Sequence, residues 1–178
     1  MTLMGIGSVV AKAAEIEGPV LGFHRAWGAA VVYCLVLVAT RGHITVEKLR
    51  LAAPGGLVFG TQLGFFFSAV QLTTVANATM LLALQPVVVL FFFSRRFGET
   101  VTRRDWLLSA LAIAGVGLVV FGSVDSPSWS PGGDALAVCA LVSWTLYFVL
   151  SKRAREHLGA VEYQSMSLLF SGLILLPV

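Results

Sequence analysis

Charge is what this sequence has least of. Only 12% of its 178 residues are Asp, Glu, Lys or Arg, about half the ~25% usual in soluble domains. From Leu51 to Ser94 there is none at all. A solvated helical hairpin needs a polar face repeating every 3.6 residues, so that absence excludes one. Cysteine is also scarce: Cys34 and Cys139 both sit inside apolar runs, without metal-ligand spacing. They read as small, inert hydrophobes. The three histidines are scattered, and His24 alone reads as a packed or interfacial residue rather than a ligand. No Gly-x-Ser-Gly motif occurs, and no acid falls inside an apolar run, so neither a serine nor an aspartyl site can be assembled. An enzyme is not expected, nor is a metal or cofactor. Neither a ring of like charges nor a carbonyl filter is legible, which argues against a channel. The net charge of +3 and pI near 9.2 do not imply nucleic acid, because the basic residues are dispersed among apolar segments. The N-terminus lacks a basic stretch ahead of its apolar run, so no cleavable signal peptide is expected.

What is present is length of apolar chain. Mean hydropathy is +0.88. A hydrocarbon core of about 30 Å needs roughly 20 helical residues, so the uncharged stretch Leu51 to Ser94 fits two crossings. Gln71-Leu72-Thr73-Thr74 is the turn between them, and Val75 to Phe93 is the second crossing. The other segments repeat this logic. Met1 to Ala14 is a short first helix, ended by Glu15 to Pro19, and Pro19 to Thr40 is a second span. Arg41 to Arg50 and Arg95 to Asp105 are polar loops, the latter offering Thr102-x-x-Asp105 as a capping box. Trp106 to Val124 is a fifth span, and Asp125 to Asp134 a Pro/Gly-rich loop. Ala135 to Ser151 is a sixth, Lys152 to Glu162 a charged connection, and Tyr163 to Val178 a seventh. The expected fold class is an all-α polytopic membrane helix bundle.

Ten of the twelve Lys and Arg lie in the loops after the second, fourth and sixth spans, and the alternate loops hold none. The positive-inside rule places those basic loops, and the N-terminus, in the cytoplasm. The expected location is an inner membrane, crossed many times.

With the spans placed, their punctuation forms a pattern. It runs Gly5-Ile6-Gly7-Ser8 to Lys12, then Pro19 and Arg25, then Ala76-Asn77 to Gln85-Pro86, Gly98-Glu99, and Ala114-Gly115-Val116-Gly117. Gly132-Gly133-Asp134 leading into Ser143-Trp144-Thr145-Leu146-Tyr147 looks like the start of a second copy. This order resembles the EamA-type transporters of the drug/metabolite transporter superfamily. The resemblance implies two five-helix inverted repeats acting as an exporter or permease of amino acids and related metabolites. It also implies a chain incomplete at both ends, with about helices one to seven of ten. The first repeat would cover residues 1–123, an external loop 124–133, and the start of the second repeat 134–178. Expected partners are membrane lipid, a small-molecule substrate, and either the missing C-terminal helices or a second copy, with no nucleic acid. A structural or assembly protein that pairs with another half is the alternative.

Candidate residues each carry two readings. On a helical wheel Thr74, Asn77 and Gln85 share an arc of about 80°; they are interhelical packing contacts or the lining of a substrate path. Pro86 frees one backbone carbonyl and marks a kink. Lys12 and Arg25 are the only cations inside spans; both are within about 10 Å of a boundary and can anchor there, while Arg25 can also attract an anion. Gly56, Gly60 and Gly64 form a ridge for close helix packing. Gln62 faces away from it with Phe59 and Phe66, as a candidate cavity wall. Ser143, Tyr147 and Ser151 line one face of the sixth span beside Trp144, as a pocket for a small amphipathic solute or as an interior contact.

Overall fold

The computed structural model describes residues 18–93, 101–122 and 130–176. These form helices α1 (Gly18–Ala39), α2 (Val46–Leu72), α3 (Val75–Ala83), α4 (Gln85–Phe93), α5 (Arg103–Gly122), α6 (Pro131–Ala154) and α7 (Ala160–Ile174), with no strand among the described residues. The short first helix, with Lys12, lies outside them, as do Arg95, Arg96 and Glu99.

The helix ends follow local chemistry. Thr45 caps α2 by accepting from the Lys48 N–H at 3.4 Å, so the helix begins at Val46 and the loop expected to run to Arg50 is shorter. Pro54 is accommodated inside α2. At the far end Thr73 closes α2 by donating its N–H to the Ala69 carbonyl at 2.8 Å, and Thr74 opens α3 by accepting from the Asn77 N–H at 3.0 Å. Two adjacent threonines thus make the turn expected there. The fourth span is two nine-residue helices. They break at Leu84, because Pro86 has no N–H to continue the ladder. Thr102 and Asp105 form the reciprocal box, with the carboxylate accepting from the Thr102 N–H at 2.8 Å and hydroxyl at 2.6 Å. Those bonds hold the Asp105 carboxyl below its ordinary range. The run expected to be loop up to Asp134 is corrected: Ser130 caps α6 and Pro131 opens it, putting Gly132, Gly133 and Asp134 in its first turn. Likewise α6 continues to Ala154 and α7 starts at Ala160, which shortens the charged connection between them.

Among the described residues three helices are individually long and apolar enough to cross a membrane: Gly22–Ala39, Val46–Leu72 and Pro131–Ala154. α3 and α4 approach that length only together. The 15 residues of α7 rise about 22 Å. The surface suits lipid. Val31, Leu35 and Val38 on α1, Leu107, Leu111 and Leu118 on α5, and Val138 and Val142 on α6 are all exposed, a display that soluble monomers rarely make. Hydroxyls are hidden accordingly. Those of Thr61, Thr79, Thr145, Ser165 and Ser171 each donate to the carbonyl four residues back, which satisfies them without water.

α2 is the hub, packed against α6, α7 and α1. Its glycines meet α7. A Cβ on Gly56 would lie 2.5 Å from the Ser167 carbonyl oxygen, and one on Gly60 would lie 2.8 Å from that of Ser171. The neighbouring Gly55 is covered by the Tyr163 hydroxyl. Gly64 has ordinary clearance, 3.5 Å from Leu175. The close approach brings Ser171 Oγ within 2.8 Å of the Gly56 carbonyl as well as that of Ser167, so its one proton is shared between the two helices. On its other side α7 meets α1, where Trp27 Nε1 donates to the Gly172 carbonyl at 3.3 Å and Ser165 Oγ to that of Tyr33 at 3.0 Å.

Basic residues gather at one end. Lys48 Nζ meets Glu162 Oε1 at 2.6 Å, Ala52 packs with Ala154, and Phe91 meets Trp106 with ring centroids 4.5 Å apart. The start of α2, α5 and α7 and the end of α1, α4 and α6 therefore share that end, together with Arg41, Arg50, Arg103, Arg104, Lys152 and Arg153.

Gly60→Leu is expected to lower stability by about 3 kcal/mol, since the Ser171 backbone as well as the Ile174 side chain blocks the added atoms. Gly28, where an added methyl would have nothing within 4 Å, should accept Ala with no loss. Thermal unfolding of the detergent-solubilised variants measures both.

Candidate functional site

From the middle of α2 towards the basic end, α2, α6 and α7 present aromatic rings to one another. Phe59 stacks on Tyr147 with centroids 4.7 Å apart, and Trp144 lies 5.7 Å from each. Tyr147 in turn stacks on Tyr163 at 6.4 Å. The Tyr147 hydroxyl donates to Gln164 Oε1 at 3.1 Å. Ser151 and Ser167 stand beside the two tyrosine hydroxyls. Three buried polar atoms in this region lack a hydrogen-bond partner among the described residues: Gln62 Oε1, Tyr163 Oη and Ser167 Oγ. Their residues are 2%, 1% and 0% exposed. Gln62 lies one helical turn along α2 from Phe59. An unsatisfied polar group away from water costs several kcal/mol in a membrane. Such a cluster is tolerated where a hydrogen-bonding solute or a second packing state satisfies it.

A second polar group sits at the end away from the basic residues. The Asp134 carboxylate accepts from Thr73 Oγ1 at 2.8 Å and from Asn77 Nδ2 at 3.4 Å. Thr73 and Asn77 are both 0% exposed. The contact is close because Gly133 has no side chain: a Cβ there would lie 2.7 Å from Thr73 Cβ and 2.8 Å from its nitrogen. The carboxylate also lies in the first turn of α6, where the helix dipole favours negative charge. The α2–α3 turn is thereby clasped to the start of α6.

Residues 1–121 match the EamA-like transporter family. The chain belongs to that family. A relative named uncharacterized transporter YyaM, from Bacillus subtilis (strain 168), is 29% identical over 133 residues, or 70% of this chain. The match covers 43% of the relative's length. No solved structure matches the chain. Membership of the EamA-like family and the apolar helices make this a multi-pass membrane protein.

In this EamA-family bundle the predicted residues separate. Trp144 and Tyr147 come together with Phe59, and Gln62 is buried one helical turn along α2 from that ring. Asn77 does not join them; it is fully buried against Asp134, at the other end of α6. Gln85 and Ser143 are half-buried, on α4 and α6. Arg25 is exposed on α1, its guanidinium 5.9 Å from the Phe67 ring centroid. His24 Nδ1 is 2.8 Å from the Val20 carbonyl oxygen. Cys34 and Cys139 are free thiols. Among the described residues no group of three His, Cys, Asp or Glu is placed to hold a metal. Sequence reasoning missed Asp134, which it counted as a loop charge. Ser130-Pro131, a cap followed by a first-turn proline, was the available signal. It also missed Tyr163 and Ser167, and the Lys48–Glu162 pair; that hydrogen bond from Lys48 holds the Glu162 carboxyl below its ordinary range.

Asp134→Ala removes the carboxylate acceptor of two buried donors, Thr73 and Asn77, so a loss of about 2–3 kcal/mol is expected. The double variant Asp134→Ala/Asn77→Ala should lose less than the two single losses combined. Additive losses in urea or thermal unfolding would show that the two side chains do not interact.

Proposed function

We propose that this chain forms one wall of a transporter for small, hydrogen-bonding metabolites such as amino acids or related compounds. The observation that carries the reading is a set of buried polar atoms along the Phe59–Tyr147–Trp144 rings: Gln62 Oε1, without a partner one helical turn from Phe59, and the Tyr163 and Ser167 hydroxyls on α7. Rings offer an apolar body contact and the polar atoms offer orientation, which is the make-up of a small-molecule site. In each half of an alternating-access cycle a bundle is closed at one end and open at the other. The Thr73–Asp134–Asn77 clasp supplies the first condition. At the basic end a groove lined by Leu51, Pro54, Leu150 and Arg153 opens beside the Ala52–Ala154 contact of α2 and α6, which fits the second. The concentration of Lys and Arg supports placing that end in the cytoplasm of a cell bounded by an inner membrane, with the N-terminus on the same side. The exposed apolar faces of α5 and α6 suit a second wall, from further helices or from another copy.

Gln62→Leu separates path from packing. It removes an unpartnered polar atom, so stability should hold or rise, while uptake of a mixed amino-acid pool by the intact transporter should fall about tenfold or more. Normal uptake at normal abundance would remove Gln62 from the path. A fall in abundance that matches the fall in uptake would make it a packing residue.

A further inference from the structure

The groove at the basic end has two kinds of wall. Its volume is about 460 Å³, and Leu51 and Pro54 of α2 with Leu150 of α6 give it an apolar side. Arg153, Glu156 and His157 give it a charged rim, and all three are exposed. Among the described residues neither Arg153 nor Glu156 is in an ion pair. The rim is fixed by the tight end of α6, where Glu156 N–H donates to the Arg153 carbonyl at 3.2 Å and His157 N–H to that of Ala154 at 3.1 Å.

The groove lies where α6 passes from its apolar length into charged residues, at the level of lipid headgroups. Its rim carries one permanent positive charge and one negative charge. That complements a zwitterion better than a net anion. Arg153 can take a phosphate, with His157 as a second donor. Acceptors for a cation lie beside it: the Glu156 carboxylate and the carbonyl end of the α6 dipole. A cation served by such acceptors is best held through N–H donors, which a primary ammonium has and a quaternary one lacks. We propose that this groove binds one phosphatidylethanolamine-type lipid. Its phosphate lies on Arg153, its ammonium on Glu156, and an acyl chain on Leu51, Pro54 and Leu150. The inference rests on the bundle lying in a membrane and is independent of what it transports.

The test is native mass spectrometry of the detergent-solubilised protein with dioleoyl phosphatidylethanolamine, phosphatidylcholine or phosphatidylglycerol added. One phosphatidylethanolamine should be retained about fivefold or more tightly than either other lipid, the ratio expected for one extra charge-assisted contact. Glu156→Gln should bring it down to the phosphatidylcholine level, and Arg153→Gln should weaken both about tenfold. Arg155→Gln, exposed and outside the groove, should change nothing, and circular dichroism confirms that each variant is folded. Equal retention of the three lipids, preference for phosphatidylglycerol, or an equal effect of Arg155→Gln would overturn the proposal. So would displacement by chain-free phosphoethanolamine at the concentration of the lipid itself, since the apolar wall would then have no part in binding.

Discussion

The structure depends on how closely two backbones can approach without side chains between them. Lipid removes the hydrophobic drive that brings helices together in water, so association rests on close packing and hydrogen bonds. At Gly56 and Gly60 the α7 carbonyls of Ser167 and Ser171 occupy the space a Cβ would fill. That approach lets Ser171 reach the Gly56 carbonyl and sets Tyr163 over Gly55. From there Tyr163 stacks on Tyr147, and Tyr147 on Phe59. The aromatic cluster is a consequence of the glycine ridge.

The two ends of the bundle are held by different forces. At one, Asp134 takes two buried donors in a contact that Gly133 alone permits. Charge-assisted bonds shielded from water are hard to open piecemeal, because each removed partner leaves another unsatisfied. At the other, Lys48 and Glu162 join α2 to α7 near solvent, where a pair contributes roughly 0–1 kcal/mol, and a groove opens beside the Ala52–Ala154 contact of α2 and α6. One end is therefore stiff and the other compliant, an asymmetry suited to a wall that moves about a fixed point.

The ridge was legible because its glycines recur every four residues, and the Thr73-Thr74 turn because polar residues interrupt an apolar run. The capping box and the Pro86 break were legible for the same reason: each is a local rule with a local consequence. Asp134 was not, because a Pro/Gly-rich stretch reads as loop until Ser130 and Pro131 are taken as a cap and first turn. Asn77 and Gln85 share an arc only on one unbroken helix. The break at Leu84 separates them, and Asn77 finds its partner 57 residues away in sequence. Tyr163 and Ser167 depend on which helix α7 meets, a tertiary fact that no local pattern carries.

The asymmetry between the two ends is the central claim, and pulsed electron–electron distance measurement tests it directly. Spin labels would be placed at Leu72 and Ala135 beside the clasp, and at Leu51 and Lys152 beside the groove, in a background lacking Cys34 and Cys139. A single narrow distance at the clasp, a broad distribution at the groove, and broadening of the clasp pair on Asp134→Ala are expected. Equal breadth at both ends with Asp134 intact would contradict the claim.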